Sequence, residues 1–129
     1  MADRAVEKYL NDILDSITQV ESYFTTFPRR FDVYCETPMM QRAIQMNISI
    51  IGEATNKLLK IAPEIPITKA RKIVDTRNYM IHGYDSVSHD MVWSIVINHL
   101  PILKEEVVRI LTKTGTKSEQ YAPCRNKHP

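Results

Sequence analysis

Eight residues, Arg77 to Tyr84, set a permanent cation, a titratable imidazole and a phenol beside a glycine in the run Arg77-Asn78-Tyr79-Met80-Ile81-His82-Gly83-Tyr84. A guanidinium can grip two phosphate oxygens at once, and a neutral imidazole can take a proton from a hydroxyl near pH 7. With no cluster of carboxylates around it, that pair suits cleavage of RNA without a metal: the imidazole deprotonates a ribose 2′-OH while the guanidinium holds the charge growing on the phosphate. A metal centre would need several His, Cys or carboxylate ligands at set spacing, and this stretch has one His. A Ser-His-Asp arrangement has still less support.

The elements around the stretch decide whether these groups can meet. On a continuous helix Tyr84 lies seven residues after Arg77 and shares its face, whereas His82, five residues on, points about 140° away. The helix must therefore end or bend at His82, with Gly83 supplying the bend, or Arg77 and His82 must come from two copies of the chain. The same residues also admit a structural reading, in which His82 caps the helix, Arg77 pairs with Asp75 or Glu53, and Tyr84 packs. Glu53 could orient Arg77 or His82 or simply make an ion pair along its helix, and Asn78 could brace the stretch by hydrogen bonds or face solvent.

Four amphipathic helices are expected to carry these groups. Val6, Leu10, Ile13, Ile17, Val20 and Phe24 keep one stripe along the first helix. Thr37-Pro38 reads as an N-cap and first helical residue, opening a second helix from Pro38 to about Ile61 with Met39, Ala43, Met46, Ile50, Ala54 and Leu58 inward. Pro63 and Pro66 break the chain, and a third helix starts near Thr68, with Ala70, Ile73, Val74, Met80 and Ile81 apolar and Gly83 at its C-terminal cap. Ser88 caps the fourth, flanked by Val87 and Val92 as a staple; that helix runs to about Leu111 with Pro101 as a kink and His99 on its apolar stripe as a core histidine. The expected fold is all-α, an up-and-down four-helix bundle over residues 1–111, followed by a disordered basic tail over 112–129.

Composition agrees and excludes several classes. One domain is all that 129 residues can hold, 43% hydrophobic and 25% charged residues are globular proportions, and three glycines are too few for a compact all-β domain. Asp3, Arg4, Glu7 and Lys8 interrupt the opening residues, so no export signal is expected there, and no apolar run nears the roughly 18 residues of a membrane span. Cys35 and Cys124 lie far apart without ligand spacing, which suits a reduced, cytoplasmic protein. Lys113, Lys117, Arg125 and Lys127 against Glu119 put the net positive charge in the tail. Within the body, Lys57, Lys60, Lys69, Arg71, Lys72 and Arg77 form a basic stretch, either a solvated helix face or a phosphate-facing patch.

The Arg77-x4-His82-Gly83-Tyr84 pattern resembles the RX4HXY motif of the HepT family, minimal HEPN-domain toxins. The resemblance extends in order through Met40-Gln41-Arg42-Ala43-Ile44, Ile50-Ile51-Gly52-Glu53-Ala54, Arg71-Lys72-Ile73, Met91-Val92-Trp93 and Leu100-Pro101, covering essentially Asp3 to Leu111. Ile67 stands where an aromatic residue is common, and the tail from Lys113 has no counterpart. The resemblance implies a helical bundle of HEPN type that forms a homodimer, bringing Arg77 and His82 of both chains into one cleft. It implies an endoribonuclease toxin acting on RNA, with Arg77 and His82 catalytic; the residues' own chemistry adds the expectation of no metal or other cofactor, with Asn78, Gly83 and Glu53 in support. It also implies a toxin-antitoxin pairing with an MNT-type nucleotidyltransferase that adenylylates Tyr84 (AMPylation) and so silences the toxin. Two alternatives stand beside this: a non-catalytic substrate- or nucleotide-binding subunit of a two-component nucleotidyltransferase, and a bundle that merely dimerises.

Overall fold

A computed structural model describes the backbone of residues 2–82 and 88–114, with side chains over 4–79 and 88–113. The regular structure of these residues is all helical, without strands. The elements are α1 (Ala2–Tyr23), α2 (Phe31–Cys35), α3 (Pro38–Ile61), α4 (Ala70–His82), α5 (His89–Ser94), a π-helical turn (Ile95–His99) and α6 (Leu100–Thr114). The expected boundary of the folded part at 111 falls in the last turn of α6, and the expected tail beyond 114 lies outside the described residues.

Helix α3 is central: α1 packs along one flank, α4 along another, and α6 closes on α1 from behind. Leu10, Ile13, Leu14, Ile17 and Val20 of α1 meet Ile44, Ile48, Ile51 and Leu58 of α3, with Val92, Val96, Leu103, Val107 and Leu111 completing the core. Each such side chain contributes roughly 1.5–3 kcal/mol when fully withdrawn from water. The stripe expected on α3 needs correction. Met39, Met46 and Ile50 face solvent, at 81%, 62% and 42% exposure, and Ala43 is half-buried. Because α3 touches two neighbours, it buries a broad arc through Met40, Ile44, Asn47, Ile48, Ile51 and Thr55, and apolar residues on both edges leave periodicity unable to say which edge stays wet.

The connections follow local chemistry. Pro38 begins α3 as expected, but the Thr37 hydroxyl donates back to the Val33 carbonyl instead of capping α3. Gln41 donates to the carbonyls of Tyr34 and Cys35, satisfying the end of α2. Ser88 does cap α5, its Oγ accepting from the Met91 N–H at 3.1 Å, while its staple partner Val87 lies outside the described residues. Pro101 produces a π-turn in place of a simple kink: the Leu100 N–H reaches back five residues to Ile95, and α5, the turn and α6 continue as one rod. His99, expected in the core, sits half-buried at the end of that turn. Among the described residues no helix is long and apolar enough to cross a membrane.

Candidate active site

Gly52 explains how Arg77 is placed. A Cβ at position 52 would overlap Arg77 Cβ and lie 2.8 Å from its Cγ and 3.3 Å from the Ile73 carbonyl, so the close approach of α3 and α4 requires glycine there. The stem of Arg77 lies across this gap and leaves its side chain 23% exposed. From there the guanidinium forks: one terminal nitrogen, Nη2, donates to Glu53 Oε1 at 2.9 Å, and Nη1 donates to Asn78 Oδ1 at 2.9 Å. Its Nε is buried without a hydrogen-bond partner among the described residues.

Glu53 serves two cations. Lys57, one turn further along α3, approaches Oε2 at 3.4 Å while Arg77 holds Oε1. Hydrogen bonds from Lys57 and then Arg77 hold the Glu53 carboxyl below the usual carboxylate range. Two cations against one carboxylate leave this cluster with a surplus positive charge. Each terminal guanidinium nitrogen keeps a second N–H beyond the one already used, so an incoming phosphate can be gripped without first dismantling the pair.

Arg77, Glu53 and Asn78 are thus brought together as the sequence suggested, and the Arg77–Asp75 pairing is not the one formed. His82 belongs to the last turn described in α4, which stays helical through that residue, so it sits about 140° from Arg77 around the helix axis. The side chain of His82, and Gly83 and Tyr84 entirely, lie outside the described residues. Lys57 is the participant that the spacing of the Arg77–Tyr84 run could not supply; the basic stretch contained it and Glu53 lies one turn away on the same helix, but the sharing of Glu53 with Arg77 was visible only once α3 and α4 were packed. That stretch does not form one patch. Lys57 borders a groove between α1 and α3, whereas Lys69 and Lys72 flank His99 in a crevice between α4 and the π-turn. There, burial first and the two ammoniums second push the His99 imidazole below its ordinary value.

The described residues make a small all-helical domain in which an arginine, held by a carboxylate, lies five residues before a histidine on the same helix. The profile of the family described as Ribonuclease HepT-like matches residues 13–110, and the chain belongs to that family. A protein of Methanocaldococcus jannaschii named "Gamma-glutamylcyclotransferase and putative RNase MJ0434" is 31% identical over 90% of this chain, which spans about half (52%) of that relative's length. "Putative RNase MJ1380" of the same organism is 30% identical over 83% of this chain and 97% of its own. "Probable ribonuclease HepT" of Thermococcus cleftensis is 30% identical over 78% of this chain and 91% of its own. No solved structure matches the chain.

Proposed function

We propose that the chain is an RNA endonuclease toxin whose Arg77 grips the scissile phosphate and whose His82 is the general base. The observation that carries this is the presentation of Arg77, wedged over Gly52 and forked between Glu53 and Asn78, within the family's arginine–histidine–tyrosine run; the relatives named as RNases support it. The neutral His82 imidazole removes the 2′-OH proton, the 2′-oxygen attacks phosphorus, the bond to the 5′-oxygen breaks, and the leaving 5′-oxygen takes a proton. Negative charge rises on the two non-bridging oxygens, where the guanidinium stabilises it. The donor set suits this role and not a metal's, because Glu53 is already committed to two cations.

The active form is a homodimer of HEPN-type up-and-down bundles. Met39 and Met46 are exposed apolar residues of α3 that precede the Arg77 site, and pairing two copies along them would cover both and bring the two Arg77 sites toward one cleft while the α1–α3 groove stays open. Its partner is an MNT-type nucleotidyltransferase antitoxin that adenylylates Tyr84, setting a phosphate beside Arg77 in the place of the RNA phosphate.

The test is RNA cleavage by the purified chain in the presence of chelator. Wild type is expected to cleave, and Arg77→Ala and His82→Ala to fold with native helical circular dichroism and not cleave. Cleavage that disappears in chelator and returns with magnesium would contradict the mechanism.

A further inference from the structure

Beside the Arg77–Glu53 pair, α1 and α3 leave a groove of about 220 Å3, larger than the hollows of about 30 and 70 Å3 beside His99. Its floor is apolar, made by Ile50 and Ala54; Tyr9 and Asp12 of α1 form one wall and Glu53 and Lys57 of α3 the other. We propose, resting on the ribonuclease reading above, that this groove is a subsite for a guanine base of the RNA strand, next to the phosphate held by Arg77.

Shape and adjacency favour a base. The floor and the half-buried Tyr9 ring offer apolar surface to both the edge and the face of a flat ring, and base–aromatic contact tolerates partial exposure. The opposite wall is Glu53, whose Oε1 takes the Arg77 hydrogen bond at 2.9 Å and whose Oε2 faces Lys57 at 3.4 Å. Phosphate clamp and groove therefore share one carboxylate, and a nucleotide in the groove is a neighbour of the nucleotide at Arg77.

The polar rim selects among bases. Asp12 lines the groove; Lys8 donates to its Oδ2 at 2.8 Å, and lone pairs remain on both carboxylate oxygens. A carboxylate accepts two hydrogen bonds side by side, and guanine alone offers two adjacent donors on its pairing edge, the N1–H and the N2 amino group. Adenine and cytosine put an acceptor nitrogen next to their single amino group, and uracil flanks its N–H with two carbonyls, so each of these brings a lone pair against the carboxylate. The Lys8 and Lys57 ammoniums at the two rims supply positive charge for the phosphates on either side.

The experiment measures binding of four 2′-O-methyl tetranucleotides, identical except for one internal G, A, C or U, by fluorescence anisotropy with the full chain. Because these oligomers lack the attacking hydroxyl, binding is read without cleavage. The wild-type chain is expected to bind the G oligomer about tenfold tighter than the others. Asp12→Asn removes the preference, and Asp15→Asn, one turn on and outside the groove, retains it. Equal binding of all four, or a preference that survives Asp12→Asn, overturns the subsite. Cleavage of unmodified RNA by the same preparation separates the two proposals: a guanine preference in binding with no cleavage supports the subsite and contradicts the nuclease, whereas cleavage without any base preference in binding does the reverse.

Discussion

Two regions of this molecule contain nearly the same groups and use them differently. Beside Gly52, the carboxylate of Glu53 is given to Lys57 and Arg77, so the cations are held and aimed. Beside the π-turn, the carboxylate of Glu106 is given to the Thr68 N–H and hydroxyl, which ties the α3–α4 connection to α6. Lys69 and Lys72 there have no ion-pair partner among the described residues, and a half-buried His99 lies between them. A local count of basic residues would rank the regions alike. The assignment of the carboxylate makes one a candidate site and the other a structural joint.

The comparison is broken most severely by changing the aimed cation itself. Arg77→Lys keeps the charge but loses the planar fork and the simultaneous grip on Glu53 and Asn78, so RNA cleavage should fall by about a hundredfold while the thermal midpoint stays near wild type. Lys72→Gln, in the unaimed region, should leave the cleavage rate nearly unchanged under the same assay.

Gly52→Ala attacks the placement and not the charge. The new methyl meets Arg77 Cβ and Cγ with no flexible end to move aside, so α4 must shift; the expected cost is about 1–3 kcal/mol in urea unfolding together with a loss of cleavage. Unchanged stability and activity would show that α3 and α4 are not in contact there.

Glu53→Gln separates aiming from folding. The Glu53 side chain is about half exposed, so stability should scarcely change, yet cleavage should drop about tenfold because the guanidinium is no longer held. The sign of the pH effect is also fixed. The folded-state pKa of Glu53 lies below its unfolded value, so its contribution to stability is complete above the ordinary carboxylate range and lost as pH falls through the lowered value. The difference between wild type and Glu53→Gln should therefore close on acidification.

The smallest expected effect belongs to the joint. His99 is depressed in the fold, so the unfolded chain binds more protons just below its ordinary pKa, and stability should decline as pH falls from about 6.5. His99→Gln should flatten that decline in denaturant titrations and leave cleavage intact.

Much of this was legible in the sequence wherever the signal was local. Thr37-Pro38 and the prolines at 63 and 66 bound α3 to Pro38–Ile61, and Ser88 marked the start of α5. The run from Arg77 to Tyr84 identified the family before any fold was in view, and Glu53 and Asn78 were named as supports that the structure places on the guanidinium. What was not legible is tertiary. Met39, Met46 and Ile50 obey a helical period as well as the buried set does, and only the positions of α1 and α4 decide which edge is covered. Gly52 reads as an ordinary helix interior glycine until α4 is laid over it, and the groove of Tyr9, Asp12 and Glu53 joins residues more than forty positions apart. The π-turn is intermediate: Pro101 announces a disturbance, but not that the backbone resolves it by a five-residue hydrogen bond.

The central claim is that Arg77 and His82 cleave RNA through its own 2′-hydroxyl, and the chemistry of the cut ends tests it most directly. Mass spectrometry of a defined oligoribonucleotide after incubation with the purified chain should find 2′,3′-cyclic phosphate, or the monoester it opens to, on one fragment and a free 5′-hydroxyl on the other. Fragments ending in 3′-hydroxyl and 5′-phosphate would mean that water, not the ribose, attacks phosphorus, and would contradict the account.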